Sequence, residues 1–315
     1  MAESVVITGV AGFIGSQVAR RFMAEGYKVF GVDDMSTGNA ANVPLDIEFL
    51  HLDLTKQRAV ERGLPDKVTY VLHFAGQSSG EISFDNPGED LRKNVLSTLN
   101  LISKYRGGYC NKFLYASSMS VYGDCGVEPV REDRSLNPLS CYGIGKVTSE
   151  SYLKLFKRDL PYVNMRMFNV YGPGQDLFNL RQGMVSIYLS QALNNSLIEV
   201  KGSLERFRDF IYIDDVVQAW FEVTTKEKVY NLDINVGSGV RTSVKSLLDQ
   251  IIKVCPGTTY YTSSATPGDQ TGIVSDNNRL MMSSGLDGFI AIPEGLDRTV
   301  AYEKNKLQND RDLIR

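Results

Sequence analysis

Short β-branched runs alternate with helical patterns through the first half of this 315-residue chain, and that alternation constrains the fold more than any other feature. It is the pattern of βαβ units, in which parallel strands are joined by crossover helices. The spacing predicts strands over 5–8, 28–32, 47–52, 69–74, 112–117 and 162–168. Between the first two, Ile14, Val18 and Phe22 recur at i, i+4 and i+8 before Gly26, which predicts a helix over 13–25. Leu91, Val95, Leu99 and Ile102 predict a second helix over 91–105, and a third is expected over 142–158, ahead of Pro161. The fold class is therefore α/β, with a doubly wound parallel sheet wrapped by helices. After Asn169 the alternation stops at Tyr171-Gly172-Pro173-Gly174, which reads as a connector. A late apolar run over 230–236 ends at Gly237-Ser238-Gly239 and is expected to return to the main sheet. Residues 1–170 are thus expected to form one domain, and 171–315 a smaller, discontinuous lobe. The polar tail after Glu303 is expected to fray.

Composition removes several classes of function. With 43% hydrophobic and 23% charged residues the chain has the make-up of a globular protein, and no apolar run approaches the ~20 residues that cross a bilayer. The strand-like Val5-Val6-Ile7 begins too early for a signal peptide to precede it, so a cytoplasmic protein is expected. A net charge of -3 without a Lys/Arg block argues against a nucleic-acid partner. The chain has two histidines, His51 and His73, and four cysteines, Cys110, Cys125, Cys141 and Cys255, with no C-x-x-C. No metal site and no disulfide framework are expected. Acid-base work in an enzyme of this make-up falls on other side chains, and 16 tyrosines are available.

Gly9, Gly12 and Gly15 form a G-x-x-G-x-x-G run between the first strand and the first helix. Glycine is needed where such a turn is tight, where backbone approaches a pyrophosphate and where helix packs on strand; the helix N-terminus then offers N–H groups to the anion. The second strand ends at Asp33, eighteen residues past Gly15, where a carboxylate accepts bonds from both ribose hydroxyls and repels a 2′-phosphate. NAD is favoured over NADP on that ground. Asp53, at the end of the third strand, is placed either beside the adenine or in a solvated turn.

Tyr142 and Lys146 stand at i and i+4, on one helix face, and Ser117-Ser118 closes the fifth strand at the carboxyl edge of the sheet. A free tyrosine titrates near 10, whereas a useful base sits near 7. One ammonium ~4 Å away supplies roughly 4 kcal/mol at an effective dielectric of about 20, on the order of three pKa units before desolvation. Tyr142 as base and Lys146 as its modulator, with Ser118 at the sheet edge, form a candidate catalytic set.

These residues, with His73-Phe74-Ala75-Gly76, Asn94-Val95-Leu96-Ser97-Thr98, Val121-Tyr122-Gly123, Phe168-Asn169-Val170-Tyr171-Gly172-Pro173 and Arg208-Asp209-Phe210-Ile211, resemble an extended short-chain dehydrogenase/reductase of the nucleotide-sugar epimerase/dehydratase family. The resemblance covers essentially the whole chain and implies a Rossmann sheet, an NAD cofactor and a homodimer built on the helices over 91–105 and 142–158. It further implies that Gly9, Gly12, Phe13, Ile14, Gly15, Asp33, Asp53, Leu54, Ala75, Asn94, Tyr142 and Lys146 contact NAD, and that Ser118, Asn169, Arg208 and Asp269 contact a nucleotide sugar. The expected reaction is epimerisation of a UDP-hexose at carbon 4 through a transient ketone. Dehydratases of the family carry an Asp-Glu pair directly after the serine, where this chain has Met119 and Ser120; 3,5-epimerising members carry a cysteine at the position of Ser120. Ala75-Gly76-Gln77 resembles the 2-epimerase branch, which stays open as an alternative, as do a dehydratase or decarboxylase and a non-catalytic NAD-responsive scaffold. One departure concerns the R-P-G-D element, which here is Thr266-Pro267-Gly268-Asp269; Arg241 and Arg279 are the candidate replacements for its arginine.

Overall fold

The computed structural model describes residues 3–181, 183–264 and 271–313. Six strands alternate with helices through the first half: β1 (Ser4–Thr8), β2 (Lys28–Asp33), β3 (Glu48–His51), β4 (Val68–His73), β5 (Cys110–Ser118) and β6 (Tyr162–Met167). Beyond them follow β7 (Asn169–Tyr171), β8 (Leu197–Lys201), β9 (Phe207–Tyr212), β10 (Leu232–Val236), β11 (Arg241–Ser243) and β12 (Thr259–Ser263). The main sheet runs β10-β6-β5-β4-β1-β2-β3 and is parallel throughout. The six early strands so give the doubly wound order 3-2-1-4-5-6 of a dinucleotide-binding fold. The late strand does return to this sheet, where Leu232 pairs with Val163 and Val236 with Met167. Two smaller sheets, β11-β9-β7 and β12-β8, lie outside it.

The sheet is central because its strands are apolar on both faces. Val5 and Ile7 belong to one core cluster and Val6 to the other, all fully buried. The first cluster runs through the helix Phe13–Ala24 into the helix Ile213–Thr225, where Trp220 lies against Phe74 with ring centroids 4.1 Å apart. The second gathers Leu101, Tyr105 and Leu153 from the helices Ser97–Tyr105 and Cys141–Leu155.

The helix expected over 91–105 starts earlier, at Pro87, with the Asn86 side chain accepting the Glu89 N–H. It is also not uniform, because Arg92–Leu96 forms a π turn. The Ser97 and Thr98 hydroxyls donate to the carbonyls of Lys93 and Asn94, competing with the regular ladder there. The tail past Glu303 continues as helix to Leu313; it holds neither glycine nor proline to break it.

Candidate active site

The carboxyl ends of β1, β2, β4, β5 and β6 converge on a cleft of about 670 Å³. Gly9 (φ +69°) follows β1, and a Cβ there would stand 2.8 Å from the backbone nitrogen of Ala75. At Gly15, in the first turn of the helix Phe13–Ala24, a Cβ would collide with the Gly9 carbonyl oxygen. Only glycine lets the loop fold this tightly, and the tight loop leaves backbone facing the cleft. At the end of β2, Asp33 accepts the Ala11 N–H on one oxygen (3.0 Å) and the Met35 N–H on the other (2.9 Å) while lining the same cleft. Asp34 is engaged elsewhere: burial works against its charge, but bonds from Ser36 and Lys93 hold its carboxyl below the usual range. Glycine cradle and fixed carboxylate together fit an NAD dinucleotide, with pyrophosphate on the loop and ribose on Asp33.

Tyr142 and Lys146 enter the cleft from the helix Cys141–Leu155, which Ser140 caps by accepting the Gly143 N–H (3.1 Å). Gly143 lies so close to the Ser120 carbonyl that a Cβ would stand 2.7 Å from it, so the helix start is pressed against the end of β5. Ser118 stands near enough to Tyr142 to act on its phenol, while its own hydroxyl bonds to that of Ser120 (3.2 Å). The Lys146 Nζ donates to the Ala116 carbonyl (2.8 Å) and stands 5.4 Å from the centre of the Tyr142 ring. Electrostatically the site differs from the sequence expectation. Burial pushes the Tyr142 phenol up to about 12, with the Ser118 bond opposing and Asp90 adding to the rise. Burial also draws the Lys146 ammonium down to about 8, against Asp90 and Glu150. Desolvation thus dominates at both groups, because both side chains are buried in the cleft wall.

His73 takes no part in proton transfer. Burial lowers its pKa to about 3, and its ring bridges the hydroxyls of Thr8 (2.7 Å) and Thr98 (3.0 Å). It is a neutral clamp between β1, β4 and the π-turned helix. Among the described residues no cluster of three or more His, Cys, Asp or Glu side chains is placed to hold a metal ion, and all four cysteines are free.

Gly9, Gly12, Phe13, Ile14, Gly15, Asp33, Asp53, Leu54, Ala75, Ser118, Tyr142, Lys146 and Asn169 all line the cleft. Asn169 donates to the Asp209 carbonyl (2.9 Å). Asn94 does not line it: its amide donates to Asp90 (3.0 Å), and its buried side-chain oxygen, without a hydrogen-bond partner, faces Gly76. Arg208 lines an adjoining second cleft, and Asp269 and Thr266 lie outside the described residues. Neither Arg241 nor Arg279 reaches either cleft. Arg241 stacks on Phe207 at 3.7 Å, and Arg279 donates to the Asp233 carbonyl at 2.7 Å. Sequence reasoning gave no role to Gln77, Met184 and Phe210, which also line the first cleft; Gln77 and Phe210 fell in quoted motifs and Met184 in none.

A glycine-cradled dinucleotide cleft whose opposite wall carries a buried tyrosine, lysine and serine defines a nicotinamide-dependent enzyme of the short-chain dehydrogenase/reductase type. Residues 5–237 match the model of the NAD dependent epimerase/dehydratase family, and the chain belongs to that family. UDP-glucose 4-epimerase of Mycolicibacterium smegmatis is 33% identical over 313 residues, spanning 96% of this chain and 99% of that protein. The crystal structure of UDP-glucose 4-epimerase with UDP-glucose from Thermotoga maritima superimposes with a TM-score of 0.91 at 30% identity, over 96% of this chain and 99% of that one. UDP-glucuronic acid decarboxylase 1 of Xenopus tropicalis is 28% identical over 318 residues, covering 98% of this chain and 73% of that protein.

Proposed function

We propose that this protein epimerises a UDP-hexose at carbon 4. The observation that carries the proposal is the meeting of Tyr142, Ser118 and Lys146 in the cleft whose other walls are the glycine loop and Asp33. The loop's N–H groups and Asp33 would hold NAD, which when bound supplies the hydride acceptor and donor and a positive ring charge. Tyr142 takes the proton of the carbon-4 hydroxyl as that carbon is oxidised and returns it as the carbon is reduced on its other face. Ser118, which lines the cleft beside Tyr142, would hold the same oxygen. Lys146, fixed by the Ala116 carbonyl, would set a cation beside the Tyr142 ring, to which bound NAD would add its positive charge. Met119 and Ser120 after Ser118 offer no carboxyl group for water elimination, which favours epimerisation over dehydration.

In this reading residues 1–170 with β10 hold NAD, and 171–315 select the nucleotide sugar through Asn169, at the border, and Arg208. The enzyme works in the cytoplasm as a homodimer; among the described residues no helix is long and apolar enough to cross a membrane. The test is incubation of the NAD-loaded protein with UDP-glucose, UDP-galactose and their N-acetyl forms, followed by NMR. Interconversion of a carbon-4 pair with little deuterium uptake from D₂O is expected. Conversion of other nucleotide sugars alone, or deuterium entering beside a carbonyl, overturns the proposal.

A further inference from the structure

Asp90 is a buried acid that the reaction proposed above leaves without a role. It sits on the helical segment Pro87–Leu91 and is 2% exposed, and it does not itself line the cleft, which Glu89 and Lys93 on either side of it do. One of its oxygens accepts the side-chain amides of Gln77 (2.9 Å) and Asn94 (3.0 Å). The other faces the helix Cys141–Leu155 at Gly145, where a Cβ would stand 3.5 Å from it. Gly145 lies between Tyr142 and Lys146, so the carboxyl group is packed against the helix turn that carries both. The cations beside Asp90 in sequence are engaged elsewhere, Arg92 with Glu89 (3.5 Å) and Lys93 with Asp34 (3.1 Å). Lys146 is the cation that acts on it.

We propose that Asp90 is a positioning residue that sets the pH range in which Tyr142 and Lys146 work, as the counter-charge packed behind the helix turn they share. This rests on the reading above, in which Tyr142 is the base. Two carboxylates act on Lys146, Asp90 first and Glu150 second, and Glu150 is already bonded to Arg166 through both oxygens (2.9 and 2.7 Å). The other groups facing Lys146 are neutral in the resting site: His73, and the rings of Tyr115 and Tyr142, whose centres stand 4.8 and 5.4 Å from its Nζ. Tyr142 in turn feels the Ser118 hydroxyl and then the Asp90 charge. Burial pushes the Asp90 carboxyl up, opposed by the Gln77 bond, the Lys146 charge and the Asn94 bond. An ionised Asp90 favours the proton-bound form of Lys146 and of Tyr142 alike, so its removal lets both release their protons at lower pH.

The experiment is the pH profile of kcat/KM with UDP-galactose for the NAD-loaded protein, as wild type, Asp90→Asn and Asp90→Ser. A substrate-free titration runs beside it: the tyrosinate absorbance that Tyr142→Phe removes, followed against pH in each background. Asp90→Asn keeps an oxygen for Gln77 and Asn94 and drops the charge; Asp90→Ser drops the charge in a smaller side chain, should the amide variant not fold. Both limbs of the profile, and the Tyr142 midpoint, are expected to move to lower pH by about one unit in either variant. A profile that falls in height with its limbs in place marks a purely structural residue and overturns the proposal, as does a Tyr142 midpoint that stays where it is. A moved midpoint in a protein that converts no nucleotide sugar upholds the counter-charge and overturns the carbon-4 reading instead.

Discussion

Tyr142 carries the proton chemistry of the proposed reaction from a pocket that raises its pKa to about 12. Tyr142→Phe removes the only atom that exchanges the proton and keeps the ring, so turnover should fall by roughly 10²–10⁴-fold while NAD binding, read by fluorescence titration, stays within a few-fold. A variant with unchanged turnover would return the non-catalytic scaffold to consideration. His73 illustrates the converse, a titratable group whose work is structural. Its folded pKa of about 3 lies below the unfolded value of 6.5. Between these values the unfolded chain binds a proton that the folded protein refuses, so stability drops as pH falls through that window. The full penalty is on the order of 5 kcal/mol, about 1.4 kcal/mol per pH unit inside the window. Urea unfolding at pH 6, 5 and 4 should show a shallower acid loss for His73→Gln than for wild type; parallel curves would mean the ring is not kept neutral. The sequence made the low histidine count legible and pointed to tyrosine. It did not show that desolvation would dominate the phenol, because burial is a property of the packed site.

The helix Cys141–Leu155 and β6 are joined by a buried ion pair that periodicity could not reveal. Arg166 donates to both oxygens of Glu150 (2.9 and 2.7 Å), and each side chain is 1% exposed. Ser117 donates to Glu150 at 2.6 Å, and Arg166 also reaches Tyr122 (2.9 Å) and Asp233 (3.0 Å). One network thus ties the helix of Tyr142 and Lys146 to the end of β5 at Ser117 and to the returning strand β10. Removing one partner strands the other charge in the core. Glu150→Gln and Arg166→Met are each expected to lose about 3–5 kcal/mol in urea unfolding, and the double variant less than their sum. Additive losses would show that the two do not act as a pair. The elements themselves were legible because apolar spacing marks each strand and helix. Their cross-links were not: Lys112 looked like one more residue of β5, yet its ammonium caps the helix Ile213–Thr225 through the carbonyls of Val223, Thr224 and Lys226.

Assembly depends on what the completed fold leaves outside. The main sheet and the return of β10 followed from apolar runs, whereas the second cleft is built from residues distant in sequence, such as Phe84, Leu180 and Arg206, and had no local signature. The same limit applied to the proposed dimer face, since outward residues can be named only when the inward ones are known. On the helix Cys141–Leu155, Ile144, Thr148, Ser151 and Leu155 follow one another at steps of four, three and four along a single stripe. Ile144 is 55% exposed and Leu155 71%. On the neighbouring helical segment Leu91 and Leu96 are also exposed. Small hydroxyl residues between large apolar ones let two copies of such a helix approach closely, and burying four large apolar side chains from each copy gives the stripe a driving force. Sedimentation velocity at micromolar concentration should therefore give a dimer for wild type and a monomer for Ile144→Glu/Leu155→Glu, with NAD binding retained by both. A wild-type monomer, or a double variant that stays dimeric, would place the interface elsewhere.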